Sequence, residues 1–338
     1  MKIAFLNIYQ GAVDRGAETF VSELSKRLKK NHTVDVLSGF ASPRPHWPIL
    51  WRAFLDPNGL SIAQFSLKKL SQIWREKYDI VVPLNGGWQP ALVRLLTWIY
   101  RGKMIISGQS GMGWDDINNL YCFPDVFVAL STSAKRWARR INPFVRVEYV
   151  PNGVDMKRFT PEGEKYRVRL SAPIVLCVGA LTEAKRIDLA IRAVNKLKDV
   201  SLLVVGDGEL KRMIQELGKD LLGNRFQLIK LSPKEMPSVY RTANAFTLPS
   251  ESYQSFEIAL VEAMAINLPV VANSDPIREE IVGNAGILVD PTNTDEYAEA
   301  LRQALGKDWG DKPRKQAEKF DWDEITEDYE ELFKTLIR

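Results

Sequence analysis

The segment Leu248-Pro-Ser-Glu-Ser-Tyr-Gln-Ser-Phe-Glu-Ile-Ala-Leu-Val-Glu-Ala-Met-Ala265, followed by Leu268-Pro-Val-Val271, holds the most chemically suggestive residues of the chain. It reads as a strand end, a polar loop, a helix over about 255–266 and a new buried strand. In a parallel α/β sheet, this order aims a helix N-terminus and a loop into the crevice at the carboxyl ends of the strands, where ligands bind. Free N–H groups at a helix start attract phosphate. Ser255, Phe256 and Ile258 at that start are therefore candidate anion contacts. Glu262, two turns in, is placed to reach a ribose hydroxyl.

Two other places have the chemistry of anion binding. Gly16 lies at the turn before a helix over 17–30, where a missing side chain lets backbone approach phosphate. A tight strand-to-helix turn explains the same glycine, and the two roles are compatible. Lys185 stands just before a helix predicted to start near Arg186 and offers a flexible point charge. A surface lysine is the bland alternative, but its spacing from Gly179 favours phosphate. Arg186 either assists or covers the domain surface. Gly206-Asp207-Gly208 sits at a strand end, where a base and ribose would pass, though an ordinary turn reads almost as well.

The elements that must position these residues follow from periodicity. Strand-like runs at 2–8, 33–38, 79–84, 103–107, 125–130 and 145–150 alternate with helical patterns near 62–77, 88–100 and 132–140. A second series has strands at 173–179, 201–206, 225–230, 244–248, 268–272 and 286–289, with helices near 185–198, 208–222, 255–266 and 294–305. Such alternation means parallel strands with crossover helices. The 338 residues exceed the usual single core. Two Rossmann-like α/β domains facing across a cleft are thus predicted, over 1–160 and 161–320. The tail 321–338 carries Ile325, Tyr329, Phe333 and Ile337 on one stripe, and is expected to pack back on the first domain.

Composition narrows the class. Hydrophobic content of 45% with 26% charged residues is ordinary for a soluble globular chain. No run is long enough to span a bilayer. Cys122 and Cys177 match no metal spacing and read as reduced cytosolic thiols. Residues 1–160 carry 22 Lys and Arg against 12 Asp and Glu, a net +10, whereas the remainder carries 24 against 30, a net −6. Seven of the nine Trp also precede residue 140. A basic, Trp-rich first half points to an anionic partner such as a lipid phosphate or the inner face of a membrane, or else to a solvated basic face. Segment 43–55, with Trp47, Trp51 and Arg52, followed by Lys68, Lys69 and Trp74, can seat in a lipid interface or fill core space. Helix 132–140, with Lys135, Arg136, Arg139 and Arg140, adds to the basic face. No nucleic-acid partner is expected.

Several motifs in order resemble family 4 glycosyltransferases of the GT-B fold. Arg15-Gly-Ala-Glu18 opens the first helix, where that family usually has Gly-Gly-Ala-Glu. Val150-Pro-Asn-Gly-Val-Asp155, Val178-Gly-Ala-Leu-Thr-Glu-Ala-Lys185, Val205-Gly-Asp-Gly-Glu209, Ala243–Ser250 and the opening segment follow in register. The resemblance implies a retaining transfer of sugar from a nucleoside-diphosphate sugar to a hydroxyl acceptor, lipid-linked or a polysaccharide precursor. It places the acceptor on the first domain and the nucleotide sugar on the second. It also implies that backbone from Leu228 to Ser232, Leu231 included, meets the base. No metal or further cofactor is expected, because helix ends and Lys185 supply the positive field.

Three departures bear on the chemistry. The family's first carboxylate, eight residues before Glu262, falls on Gln254 here. Gln hydrogen-bonds sugar hydroxyls but brings no negative charge. Glu257 stands where the family often has Gly, and is expected to turn toward the sugar and replace that carboxylate. Gln109 occupies about the position of a His that faces the donor in similar enzymes. It lies in Ser107-Gly-Gln-Ser-Gly-Met-Gly-Trp-Asp-Asp116, where Asp115 or Asp116 can polarise an attacking hydroxyl, or merely decorate a surface loop. Rival readings are a sugar-nucleotide-binding protein that has lost chemistry and an epimerase of the same fold. A nicotinamide oxidoreductase is disfavoured, since no Gly-x-Gly-x-x-Gly follows either domain's first strand.

Overall fold

The computed structural model describes all residues except Pro45, His46, Pro48, Tyr253 and Arg338. Three positions of segment 43–55 and Tyr253 of the 248–265 segment thus lie outside the described residues. The chain forms two compact units, Met1–Asn152 with Trp322–Arg338, and Gly153–Asp321.

The first unit runs β1 (Lys2–Asn7), α1 (Gly16–Leu28), β2 (Thr33–Ser38), α2 (Pro57–Glu76), β3 (Ile80–Pro83), α3 (Trp88–Tyr100), β4 (Lys103–Ser107), α4 (Trp114–Tyr121), β5 (Val126–Ala129), α5 (Thr132–Ile141) and β6 (Val147–Tyr149). Its six strands are parallel in the order β2-β1-β3-β4-β5-β6. Ile3, Ala4, Phe5 and Leu6 are all fully buried, because helices cover both faces of a parallel sheet. The chain moves outward from β1 to β2, then back past β1 to β3. Right-handed crossovers therefore put α1 on one face and α2 to α5 on the other. Ile62, Phe65 and Ile73 of α2, Val93 of α3, Leu120 of α4 and Ala138 of α5 share one core with the strands.

The second unit runs β7 (Ile174–Val178), α6 (Ile187–Asn195), β8 (Ser201–Val205), α7 (Lys211–Leu222), β9 (Phe226–Ile229), α8 (Met236–Tyr240), β10 (Ala245–Leu248), α9 (Ile258–Ala265), β11 (Val270–Asn273), α10 (Pro276–Val282), β12 (Gly286–Val289), α11 (Thr294–Gly306) and α12 (Lys312–Glu318). Its strands, again parallel, are ordered β12-β11-β10-β7-β8-β9. The final helix, α13 (Trp322–Ile337), belongs to the first unit, where Phe20 of α1 packs on Trp322 and Tyr329 at 6.1 and 5.8 Å.

The units part at Asn152/Gly153, eight residues before the expected 160/161 boundary. The reason is local: Val154 N donates to Phe320 O at 2.8 Å, and the Phe159 ring meets Tyr240 at 5.9 Å, so 153–160 folds with the second sheet. The segment 107–116, expected as loop, enters α4 from Trp114, and the first turn of that helix carries Asp115 and Asp116 where carboxylates suit the helix dipole. Helix α9 begins at Ile258, later than the expected 255, and α6 at Ile187. Short α10 starts behind an Asp275 cap with Pro at its first turn, a start signal present in Asn273-Ser-Asp-Pro276.

Candidate functional site

The second unit gathers most candidates at the carboxyl ends of β7, β8 and β10. There two loops interlock by backbone: Gly179 N donates to Val205 O at 3.1 Å, Leu181 N to Asp207 O at 3.0 Å and Leu210 N to Leu181 O at 3.0 Å. A Cβ on Gly206 would stand 2.0 Å from Gly179 O, and one on Gly208 2.6 Å from Leu181 O. These two glycines therefore answer first to the neighbouring loop, the structural reading of that motif. The atoms nearest a Cβ on Gly179 itself would be Leu248 at 3.5 Å and the Lys185 stem at 3.8 Å, so Gly179 and Lys185 are immediate neighbours. Asp207 is exposed and paired with Lys230 at 2.9 Å and Lys211 at 3.3 Å, which hold its carboxyl below its usual range. Leu231 is half-buried just after β9, ahead of a capping box between Ser232 and Glu235.

Lys185 ends a single 3-10 turn, Glu183–Lys185, rather than opening α6. Arg186 takes a left-handed φ of 45° that breaks the turn before Ile187. Its guanidinium donates to Pro249 O at 2.8 Å, Ser250 O at 2.9 Å and Asn273 Oδ1 at 3.2 Å. Arg186 thus ties the loop after β10 to the end of β11, a positioning role the sequence reading left undecided.

The Lys185 ammonium lies 2.8 Å from Glu257 Oε1. Arg278, fully buried on α10, reaches the same oxygen at 3.1 Å, sits 3.5 Å from Asp275 and donates to Gln254 O at 3.2 Å. Two cations and two carboxylates therefore balance inside the unit. Burial alone would raise the Glu257 carboxyl, but the charges of Lys185 and Arg278 outweigh it and hold it below the usual range. Glu257 is the residue before α9 and caps nothing with its side chain. Its carboxylate is turned onto these cations, which differs from the sequence expectation that it turns toward a sugar. Neutralising a buried charge outweighs the freedom of an exposed rotamer. Arg278 was missed by sequence reading, because a cation behind an Asp-Pro helix start looks like a surface residue.

Gln254 is half-buried, with its N–H on Glu251 O at 3.1 Å. Ser255 is half-buried, and Ile258 is a buried first residue of α9. Phe256 is buried edge-on against Phe320 at 5.4 Å, so its ring serves packing while only its backbone remains a ligand contact. Glu262, one turn into α9, accepts the Tyr240 hydroxyl at 2.8 Å, and burial pushes that phenol well above its ordinary pKa.

The remaining candidates belong to the first unit. Gly16 is the exposed first residue of α1. Gln109 and Asn152 exchange amide hydrogen bonds at 3.1 and 2.9 Å, and Gln109 also donates to Ser107 Oγ at 2.9 Å. Asp115 is half-buried close to Gly86, where a Cβ would lie 3.3 Å from its carboxyl carbon. Asp116 is buried, so the surface-loop reading is corrected. Burial pushes its pKa up to about 8, Asn119 at 2.9 Å offsets part of this, and the charge of Asp115 adds to it. Among the described residues, no three His, Cys, Asp or Glu side chains gather as metal ligands, and no helix is long and apolar enough to cross a membrane.

Comparison with known proteins completes this picture. Residues 160–320 match the family model for glycosyl transferases group 1, and residues 15–158 match that for glycosyltransferase family 4. The chain is 30% identical over 191 residues to a GDP-mannose-dependent alpha-(1-6)-phosphatidylinositol monomannoside mannosyltransferase of Mycolicibacterium smegmatis, half of each protein. It is 27% identical over 333 residues to the phosphatidyl-myo-inositol mannosyltransferase of Mycobacterium tuberculosis, covering 90% of this chain and 86% of that one. The matches span only a quarter to a half of the length of several other curated relatives. In architecture it superposes on Anabaena Alr3699/HepE, solved with UDP and glucose, with a TM-score of 0.76 at 17% identity over 99% of both chains. Two parallel six-stranded Rossmann-like units of the GT-B fold, with family models matched in order along them, make this chain a member of the group 1 glycosyltransferases of family 4.

Proposed function

We propose that the chain transfers a sugar, with retention of configuration, from a nucleoside-diphosphate sugar to a hydroxyl acceptor, and needs no metal or further cofactor. One observation carries the reading: an ammonium, Lys185, stands beside Gly179 and the start of α9 in a buried ion pair that a diphosphate can exchange into. When Lys185 turns to the phosphates, Arg278 still neutralises Glu257, so no buried carboxylate is left bare. Lys185 and the amide dipoles at α9 then stabilise charge as the diphosphate departs. The departing phosphate takes the acceptor proton on the same face, so the step calls for no histidine base. Glu262, oriented by Tyr240, accepts ribose hydroxyls. Gln254 contacts the sugar, while Glu257 stays on Arg278. The acceptor is lipid-linked or a polysaccharide precursor, in keeping with the phosphatidylinositol acceptors that the mycobacterial relatives are named for.

Release of UDP or GDP from a panel of sugar nucleotides, with acceptor mixtures present, tests this directly. Lys185→Ala should lower turnover at least ten-fold, about 1.4 kcal/mol. Undiminished transfer by that variant removes the phosphate role. A second reading, a sugar-nucleotide-binding protein with weakened chemistry, is favoured by the engagement of Glu257 with two cations. Tight nucleotide binding without any sugar transfer would select it. NMR of the product anomer separates retention from inversion.

A further inference from the structure

The contact between Lys185 and Glu257 joins a movable cation to a fixed anion. Their side chains are 18% and 9% exposed, so salt screens the 2.8 Å pair only weakly. The backbone around Lys185 is held, since Lys185 N donates to Thr182 O at 3.1 Å and Glu251 N to Ala184 O at 3.0 Å. What can turn is the four-carbon stem, which lies alongside Gly179. Glu257 has no such freedom. Arg278, 1% exposed, grips the same Oε1 at 3.1 Å. Asp275 steadies Arg278 at 3.5 Å and caps α10 through Ile277 N and Arg278 N at 2.9 and 3.0 Å.

Arg278 therefore has a counter-charge in Asp275 without Glu257, and the Glu257 carboxylate caps nothing on α9. Its negative charge is left for Lys185. A fixed anion beside a lysine that takes a diphosphate competes with that diphosphate. An anionic ligand gains only the difference between the ion pair it makes and the one it breaks. Separation is feasible because Glu257 keeps Arg278 when the lysine turns away. We propose that Glu257 is a built-in counter-anion that weakens the grip of this site on nucleoside diphosphates and speeds their departure. The inference rests on the reading that Lys185 meets the diphosphate, and it adds how that contact is regulated. Once the sugar has moved, the carboxylate recaptures Lys185 as the nucleoside diphosphate leaves. Affinity is thereby given up for release of product.

Titration calorimetry and stopped-flow dissociation of UDP and GDP from the full chain test this. Glu257→Gln keeps the shape of the side chain and removes its charge. It should bind whichever nucleotide the wild type binds about ten-fold more tightly, mostly through slower dissociation. Lys185→Ala alone should weaken binding, and in that background Glu257→Gln should give no gain, because no lysine is left to release. An equal gain without Lys185 would make Glu257 a source of plain repulsion and overturn the proposal. Unchanged or weaker binding by Glu257→Gln, with Lys185→Ala still harmful, would overturn it and leave the phosphate reading standing. Unaltered binding by Lys185→Ala would remove that reading and this inference together. Crystals of the unmodified chain with UDP or GDP decide the matter even if Glu257→Gln does not fold. Lys185 Nζ should lie on phosphate and off Glu257, with Arg278 still on the carboxylate. A Lys185–Glu257 pair kept intact beside bound diphosphate would overturn the proposal.

Discussion

The two units bury carboxyl groups in opposite ways. In the second, Glu257 lies between Lys185 and Arg278 and keeps its charge. In the first, Asp116 has one amide partner, Asn119, and its nearest ionisable neighbour is another acid, so it holds its proton to about pH 8. Burial is the same physical cost in both places. What differs is whether a cation was folded in with the acid. A charge-retaining site suits an anionic ligand that exchanges partners with a lysine, whereas a protonated acid brings a neutral donor and acceptor, as where Asp116 accepts from Asn119.

The sharpest way to break the comparison is to remove the cation that has no exposure. Arg278→Met should cost about 3–5 kcal/mol, because Asp275 would lose its buried cation and Glu257 would keep Lys185 alone. Chemical unfolding read separately for each unit should show the loss in Gly153–Asp321. Adding Glu257→Gln should recover a good part of it. If the single variant is as stable as the wild type, the balance of two cations and two carboxylates is not what holds this site.

The next largest effect tests the other half and has the opposite pH sign. Between the unfolded carboxyl pKa near 4 and the folded value of about 8, the unfolded chain ionises Asp116 while the folded chain does not. That residue's contribution to stability therefore falls as pH rises through this window and levels off above it. Glu257, depressed on folding, contributes stability at neutral pH that disappears on acidification. Asp116→Asn mimics the protonated acid and should gain about 1–3 kcal/mol over the wild type at pH 8, and nothing at pH 4. Parallel thermal melts at the two pH values check it, and an equal offset at both would show that Asp116 is not the titrating group.

What could be read beforehand divides along similar lines. The strands were legible because both faces are buried, so runs such as Ile3–Leu6 and Ser201–Val205 announce themselves as near-continuous apolar stretches. Helix α4 was hidden by Gly108, Gly111 and Gly113, which suggest a loop, and its start carries no side-chain cap. Lys185 and Glu262 stand out as candidates from their position relative to a strand or helix end. The partnership of Lys185 with Glu257 does not, since 72 residues separate them and only the sheet order brings β7 beside β10.

The smallest effect probes how far orientation, as opposed to charge, matters in the second unit. Tyr240 OH holds Glu262 at 2.8 Å, and Tyr240 is itself wedged between the rings of Phe159 and Phe246 at 5.9 and 5.8 Å. Tyr240→Phe keeps that packing and removes one hydrogen bond to the Glu262 carboxyl, so that side chain would be held less firmly. Nucleotide affinity should weaken by about 0.5–1.5 kcal/mol, up to roughly ten-fold in Kd, with little change in the binding of inorganic pyrophosphate. Titration calorimetry with UDP, GDP and pyrophosphate separates the cases. A loss shared by pyrophosphate would place Tyr240 in the diphosphate site, and an unchanged nucleotide Kd would mean that the Tyr240 hydroxyl is not what positions Glu262.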